Sequence, residues 1–134
     1  MTNRLVSFKR AFLALAIVGA FSVSTVFAAA PSIRDSGSAY WTARVSGSGF
    51  TSSSFFTTRR ADVWILNVDS YGNQSWVSRV VDISSQSCNW LYCFSGGAFS
   101  VEINMAPLQC GSRSAIAYDE YSGLWSYWIP LQCS

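Results

Sequence analysis

The chain reads as an all-β protein, a small Greek-key β-sandwich of about seven strands behind a cleaved signal peptide and held by two disulfides. Three observations predict this. Aromatic and β-branched residues interleave with Ser, Thr and Gly in period-two runs, and no window past the first 28 residues carries a helical period. Residues 1–28 have the anatomy of an export leader. All four cysteines lie beyond that leader, an even number in a segment destined for an oxidising compartment.

The leader comes first. Arg4, Lys9 and Arg10 form a basic start, Ala11 to Val26 is an apolar run, and Val26 and Ala28 supply the small-residue pattern for cleavage after Ala28. Gly19, Ser22, Ser24 and Thr25 interrupt the run, which is short for a span of ~20 apolar residues. Residues 29–134 are therefore expected as one exported domain, secreted or periplasmic and of bacterial type, with no stable membrane anchor after cleavage. Cleavage also changes the charge. The formal net charge of +2 includes Arg4, Lys9 and Arg10; without them six arginines face seven acidic residues, leaving −1. That balance gives no reason to expect a nucleic-acid partner. Arg59-Arg60 is the only basic pair of the exported part, and it reads as a solvated strand entry beside Asp62.

The strands follow in order. Ala39, Trp41, Ala43 and Val45 alternate with polar residues and predict a first strand. Ser46 to Ser54 is Ser/Gly-rich and reads as a loop or edge excursion. Ala61 to Asp69 is apolar on both faces, as in a central strand. Ser70 to Asn73 is a turn, and Ser75 to Ile83 returns as the hairpin partner. A short piece near Leu91 to Phe94 comes next. Gly96-Gly97 then precedes the alternating run Phe99, Val101, Ile103 and Met105. Ser114 to Glu120 and Leu124 to Leu131 make a last hairpin, with Trp125, Tyr127, Ile129 and Leu131 on one face and Trp128 on the other.

With a turn at Tyr121-Ser122, the register of that last hairpin places Cys110 opposite Cys133, close enough to bridge. Cys88 then pairs with Cys93 around Asn89-Trp90-Leu91-Tyr92. Other pairings stay open, because one bulge would shift the register.

The run from Gly97 to Met105, followed by Ala115 to Gly123, resembles the last strands of bacterial immunoglobulin-like domains. In that family a Gly-x-Phe-x-Val-x-Val strand precedes an Ala-x-Asp-x-x-Gly turn. The resemblance spans about the last third of the chain and implies an immunoglobulin-like sandwich. Such domains serve as adhesin modules, spacers and appendages of exported enzymes. The cysteines depart from the inter-sheet bridge of antibody domains.

Catalytic chemistry finds little support. The chain has no histidine, which excludes Ser-His-Asp and Cys-His machinery and weakens any zinc reading. Asp119 and Glu120 are strand neighbours that point to opposite faces, so they do not form a facing acid pair. Asp69, Asn67 and Asn73 match no calcium loop spacing. No cofactor and no metal are expected, and the chain is read as a non-enzyme. Asn73-Gln74-Ser75 is a glycosylation acceptor only in a eukaryotic secretory route.

The tryptophans carry the functional expectation. Trp41, Trp64 and Trp125 fall on faces expected to be core. Trp90, with Asn89, Leu91 and Tyr92 in the small cysteine loop, and Trp76 and Trp128 on strands are the candidate contact residues. The expected function is an exported protein-binding module, such as an adhesin-like subunit or an inhibitor. A carbohydrate-binding module and a structural subunit joined by strand addition are the alternatives.

Overall fold

The computed structural model describes residues 29–133 apart from 86, 89, 92 and 95, and the backbone alone at 87, 88, 93 and 94. The leader, Asn89 and Tyr92 thus lie outside the described residues. The strands are β1 (Ser32–Asp35), β2 (Thr42–Ser48), β3 (Arg60–Val68), β4 (Gln74–Asp82), β5 (Ser87–Cys88), β6 (Cys93–Phe94), β7 (Phe99–Asn104), β8 (Ser112–Asp119) and β9 (Ile129–Pro130). One antiparallel sheet runs β1-β2-β7, a second runs β4-β3-β8-β9, and β5-β6 is a separate small hairpin. The chain crosses between the two sheets three times: from β2 to β3, from β4 by way of β5-β6 to β7, and from β7 to β8.

Period-two alternation builds the core between the layers. Ala43, Val45 and Ile103 face inward from the first sheet, and Ala61, Val63, Ile65, Ala115 and Ala117 from the second, all 0% exposed. Phe50, Ile83, Phe99, Met105 and Leu131 close the ends. At one end, buried Arg113 donates from Nε to Asn67 Oδ1 at 2.9 Å and from Nη1 to the Tyr40 carbonyl at 2.8 Å. Asn67 in turn donates to the Gln109 carbonyl at 2.7 Å. Asn67 therefore serves the interior, away from the turn where Asp69 accepts from the Tyr71 and Asn73 amides.

The Ser/Gly-rich stretch expected as a loop is in part strand. β2 runs on through Ser46-Gly47-Ser48, because β1 and β7 pair it on both sides. Gly47 lies directly opposite Phe99, whose ring covers it and meets Phe50 edge-on at 4.9 Å. A Cβ at Gly47 would stand 2.2 Å from the Phe99 ring. Gly47→Ala is expected to cost about 2 kcal/mol through overpacking, seen as a lower melting temperature. Pairing with Phe99→Ala should recover part of that loss.

The last hairpin departs from the expected one. Tyr118 bridges Trp125, and Ser126 and Ala117 are bonded to each other, as an unbroken register requires. Further along, Ala115 pairs with Ile129 and Ser114 with Pro130, one residue out of step. Tyr127 and Trp128 thus share the place opposite Ile116, a one-residue bulge. It inverts the alternation: Ser126 and Leu131 are buried, while Trp125 is 49% and Trp128 48% exposed. The expectation that Trp125 lies in the core, with Trp128 on the opposite face, is overturned for this reason. Trp41 is also not core: it sits in the turn before β2 and is 44% exposed.

A disulfide joins Cys110 to Cys133, Cα atoms 6.3 Å apart, across the foot of this hairpin. Cys88 and Cys93 are direct backbone partners in β5-β6. Among the described residues no helix is long and apolar enough to cross a membrane.

Candidate functional site: an aromatic groove on the four-stranded sheet

β3 carries apolar residues on both faces. Its inner set packs in the core; its outer set, Trp64, Leu66 and Val68, has no layer above it among the described residues. The neighbours in register supply the rest. Ile116 on β8 lies beside Trp64, and Trp76 on β4 lies beside Leu66. The bulge adds Trp128, and the bridge to Tyr118 adds Trp125.

Trp64, Trp76, Ile116, Trp125 and Trp128 line a groove of about 620 Å³. Trp64 and Ile116 are its floor, because β3 and β8 are the inner strands of the sheet. Trp76 rises from one flank and Trp128 from the other, yet their ring centroids are 5.9 Å apart. Trp64 and Trp76 meet edge-on at 6.4 Å and 77°. Trp125 leans on Tyr118 at 4.7 Å. Such edge-to-face contacts hold each ring while leaving its other side open. Among the described residues no ionisable side chain lines the groove, so its character is set by carbon and indole N–H.

Trp76 and Trp128, both candidates from sequence, come together here. Trp64, Ile116 and Trp125 belong with them and were missed. A signal existed: in a two-layer sandwich a strand apolar on both faces must show one face to the outside. Trp90 and Leu91 do not join the groove. They sit at the tip of β5-β6, 90% and 66% exposed, so Trp90 is no lid on the core.

No family model, curated protein or solved structure matches this chain. The functional reading therefore rests on geometry.

Carboxylates near the groove do other work. Asp119 is buried and accepts from the Thr51 amide and hydroxyl, both at 2.7 Å, and from the Tyr121 and Ser122 amides. Burial alone would raise its pKa, but the bonds from Thr51 and Ser122 outweigh that and hold it below its ordinary value. Asp119 thus fastens the β8 turn to the loop after β2. Glu120 points the other way and hydrogen-bonds Asp62; this bond, then burial and the Asp62 charge, push its pKa up. Among the described residues no cluster of three or more His, Cys, Asp or Glu is arranged to hold a metal ion.

Proposed function

We propose that the chain is an exported, non-catalytic protein-binding module of immunoglobulin-like, Greek-key type, acting through its aromatic groove. The strand order β1-β2-β7 against β4-β3-β8-β9, with its three crossings, supports that fold reading. The leader anatomy and the Cys110–Cys133 bond support export, and the facing of Cys88 and Cys93 supports a second disulfide.

The observation that carries the binding role is the open tryptophan groove itself. An isolated concavity of this size, walled by half-exposed rings held in place by one another, suits an inserted apolar side chain from a protein. Sugar binding is the weaker reading. Rings crossing at 61° and 77° offer no shared stacking plane. The lining itself carries no hydroxyl, amide or carboxylate, the serines nearest in register being Ser78 beside Trp64 and Ser114 beside Leu66.

Titration with arrays of apolar-anchor peptides and of soluble oligosaccharides, read by tryptophan emission, tests this. Peptides with a Leu, Phe or Met anchor should shift the emission. Trp128→Ala should weaken that binding about thirtyfold, the scale of an aromatic hot spot, with a melting temperature within a few degrees of the parent. A response to oligosaccharides alone, lost in Trp128→Ala, would move the assignment to a carbohydrate-binding module.

A further inference from the structure

A second set of aromatics projects from one end of the sandwich, apart from the groove. Phe55 and Phe56, at the tip of the loop between β2 and β3, are 93% and 92% exposed. Trp90, at the tip of β5-β6, is 90% exposed. The two loops leave the fold side by side. Ser53 bridges Ser85 and donates its amide to the Ser84 carbonyl at 3.3 Å, and the Phe50 amide reaches Gly97 at 3.1 Å. Gly97 has a φ of +92° and lies so close to Phe50 that a Cβ would meet the Phe50 carbonyl at 2.2 Å.

The Phe55-Phe56 loop is shaped by its own hydrogen bonds. Ser54 and Thr57 exchange backbone bonds of 2.9 and 3.4 Å across the two phenylalanines. The Ser53 hydroxyl donates to the Ile83 carbonyl at 2.6 Å and accepts the Arg59 amide at 2.8 Å. The two rings touch each other edge-on at 5.0 Å. None of Phe55, Phe56 and Trp90 lines any of the three concavities described on the molecule.

The segments bearing these rings carry no charge. No acidic or basic residue occurs between Arg44 and Arg59, nor between Asp82 and Glu102. Charge returns only at the loop bases, as two arginines. The Arg59 guanidinium lies 3.6 Å from the centre of the Tyr121 ring, and Arg60 pairs with Asp82 at 3.5 Å.

We propose that this end of the sandwich inserts reversibly into the interface of a phospholipid bilayer through Phe55, Phe56 and Trp90. A bilayer interface takes aromatic rings at headgroup depth without needing a shaped partner, which suits convex tips better than a protein surface does. Serine and threonine tolerate that depth; charges do not, and none is present above the loop bases. With Arg60 paired to Asp82 and Arg59 set on the Tyr121 ring below the tips, the uncharged rings are the source of binding and attraction to anionic lipid adds little. Zwitterionic lipid should suffice, with little effect of salt.

Flotation of the protein starting at Ala29 with phosphatidylcholine vesicles tests this, repeated with added phosphatidylserine and at low and high salt. The protein should float with phosphatidylcholine alone. Phe55→Ser/Phe56→Ser, and separately Trp90→Ser, should each lower the partition coefficient roughly tenfold with an unchanged melting temperature. Trp128→Ala should float like the parent, which keeps this outcome separate from that of the groove. Brominated lipid should quench the parent more than Trp90→Phe. No flotation at millimolar lipid, flotation that survives both loop variants, or binding that needs anionic lipid and vanishes in salt would each overturn the proposal. So would a protein partner held by these tips without any lipid partition.

Discussion

Cys110→Ser/Cys133→Ser is expected to remove about 3 kcal/mol of stability in the chain-entropy account of a loop this long. The two residues are 23 apart in sequence. For a domain of this size that is a fall in melting temperature of roughly 10–20 °C. The structure adds a reason specific to this fold. The bridge closes the far end of the tail that follows the β8 turn, where β9 pairs through two residues and the Leu131 amide reaches the Arg113 carbonyl. The near end is held by the Ser126–Ala117 bonds and the Tyr118–Trp125 bridge. That tail carries Trp125 and Trp128. The variant should therefore lose groove binding well below its melting point, and iodide should quench its tryptophans more than those of the parent. Thermal unfolding with and without reductant measures the first effect. A reduced protein that melts with the oxidised one would show that the register alone holds the tail.

Asp119→Ala is the second large effect. It strands the Thr51 amide and hydroxyl and the Tyr121 and Ser122 amides at a site where Asp119 itself is 1% exposed. A loss of about 3 kcal/mol follows from unmade bonds to a charged acceptor. The same carboxylate predicts an acid limit. Asp119 titrates below its ordinary 3.8 when folded. So does Asp35, where bonds from the amides of Gln132, Ser38 and Gly37 overcome the opposing effect of burial. Groups lowered on folding stabilise fully above the unfolded pKa and stop doing so as pH falls through the folded one. Melting temperature should thus hold from pH 7 to about 5 and decline steeply below pH 4. In Asp119→Asn the decline should be shallower. An identical acid slope in that variant would assign the acid limit to other groups.

The sheets were legible because alternation is a local property. Phe99 to Met105 and Ala61 to Asp69 announced their strands, and the latter also announced the hairpin with β4. The Cys110–Cys133 bond was legible from register, and it survives the bulge because the chain beyond β9 still brings the two cysteines together. The groove was legible only in Trp76 and Trp128, for two physical reasons. Periodicity assigns residues to faces but does not say which face a second sheet will cover, and this misplaced Trp64. A bulge leaves no mark in composition, and this misplaced Trp125, while Trp128 faces outward as expected. β1 was missed because Ser32–Asp35 holds one buried apolar residue, Ile33, too few to show a period.

The extra residue opposite Ile116 also has an evolutionary reading. In a regular strand, losing or gaining one residue exchanges the two faces of everything beyond it. At Tyr127-Trp128 the ladder already contains that slack. A lineage that dropped Tyr127 would keep Trp125 outward and Leu131 inward, and would lose an exposed ring that lies outside the groove lining. Length changes among descendants of this sequence should therefore gather at this position. They would change the rim beside the aromatic groove while leaving the interior as it is.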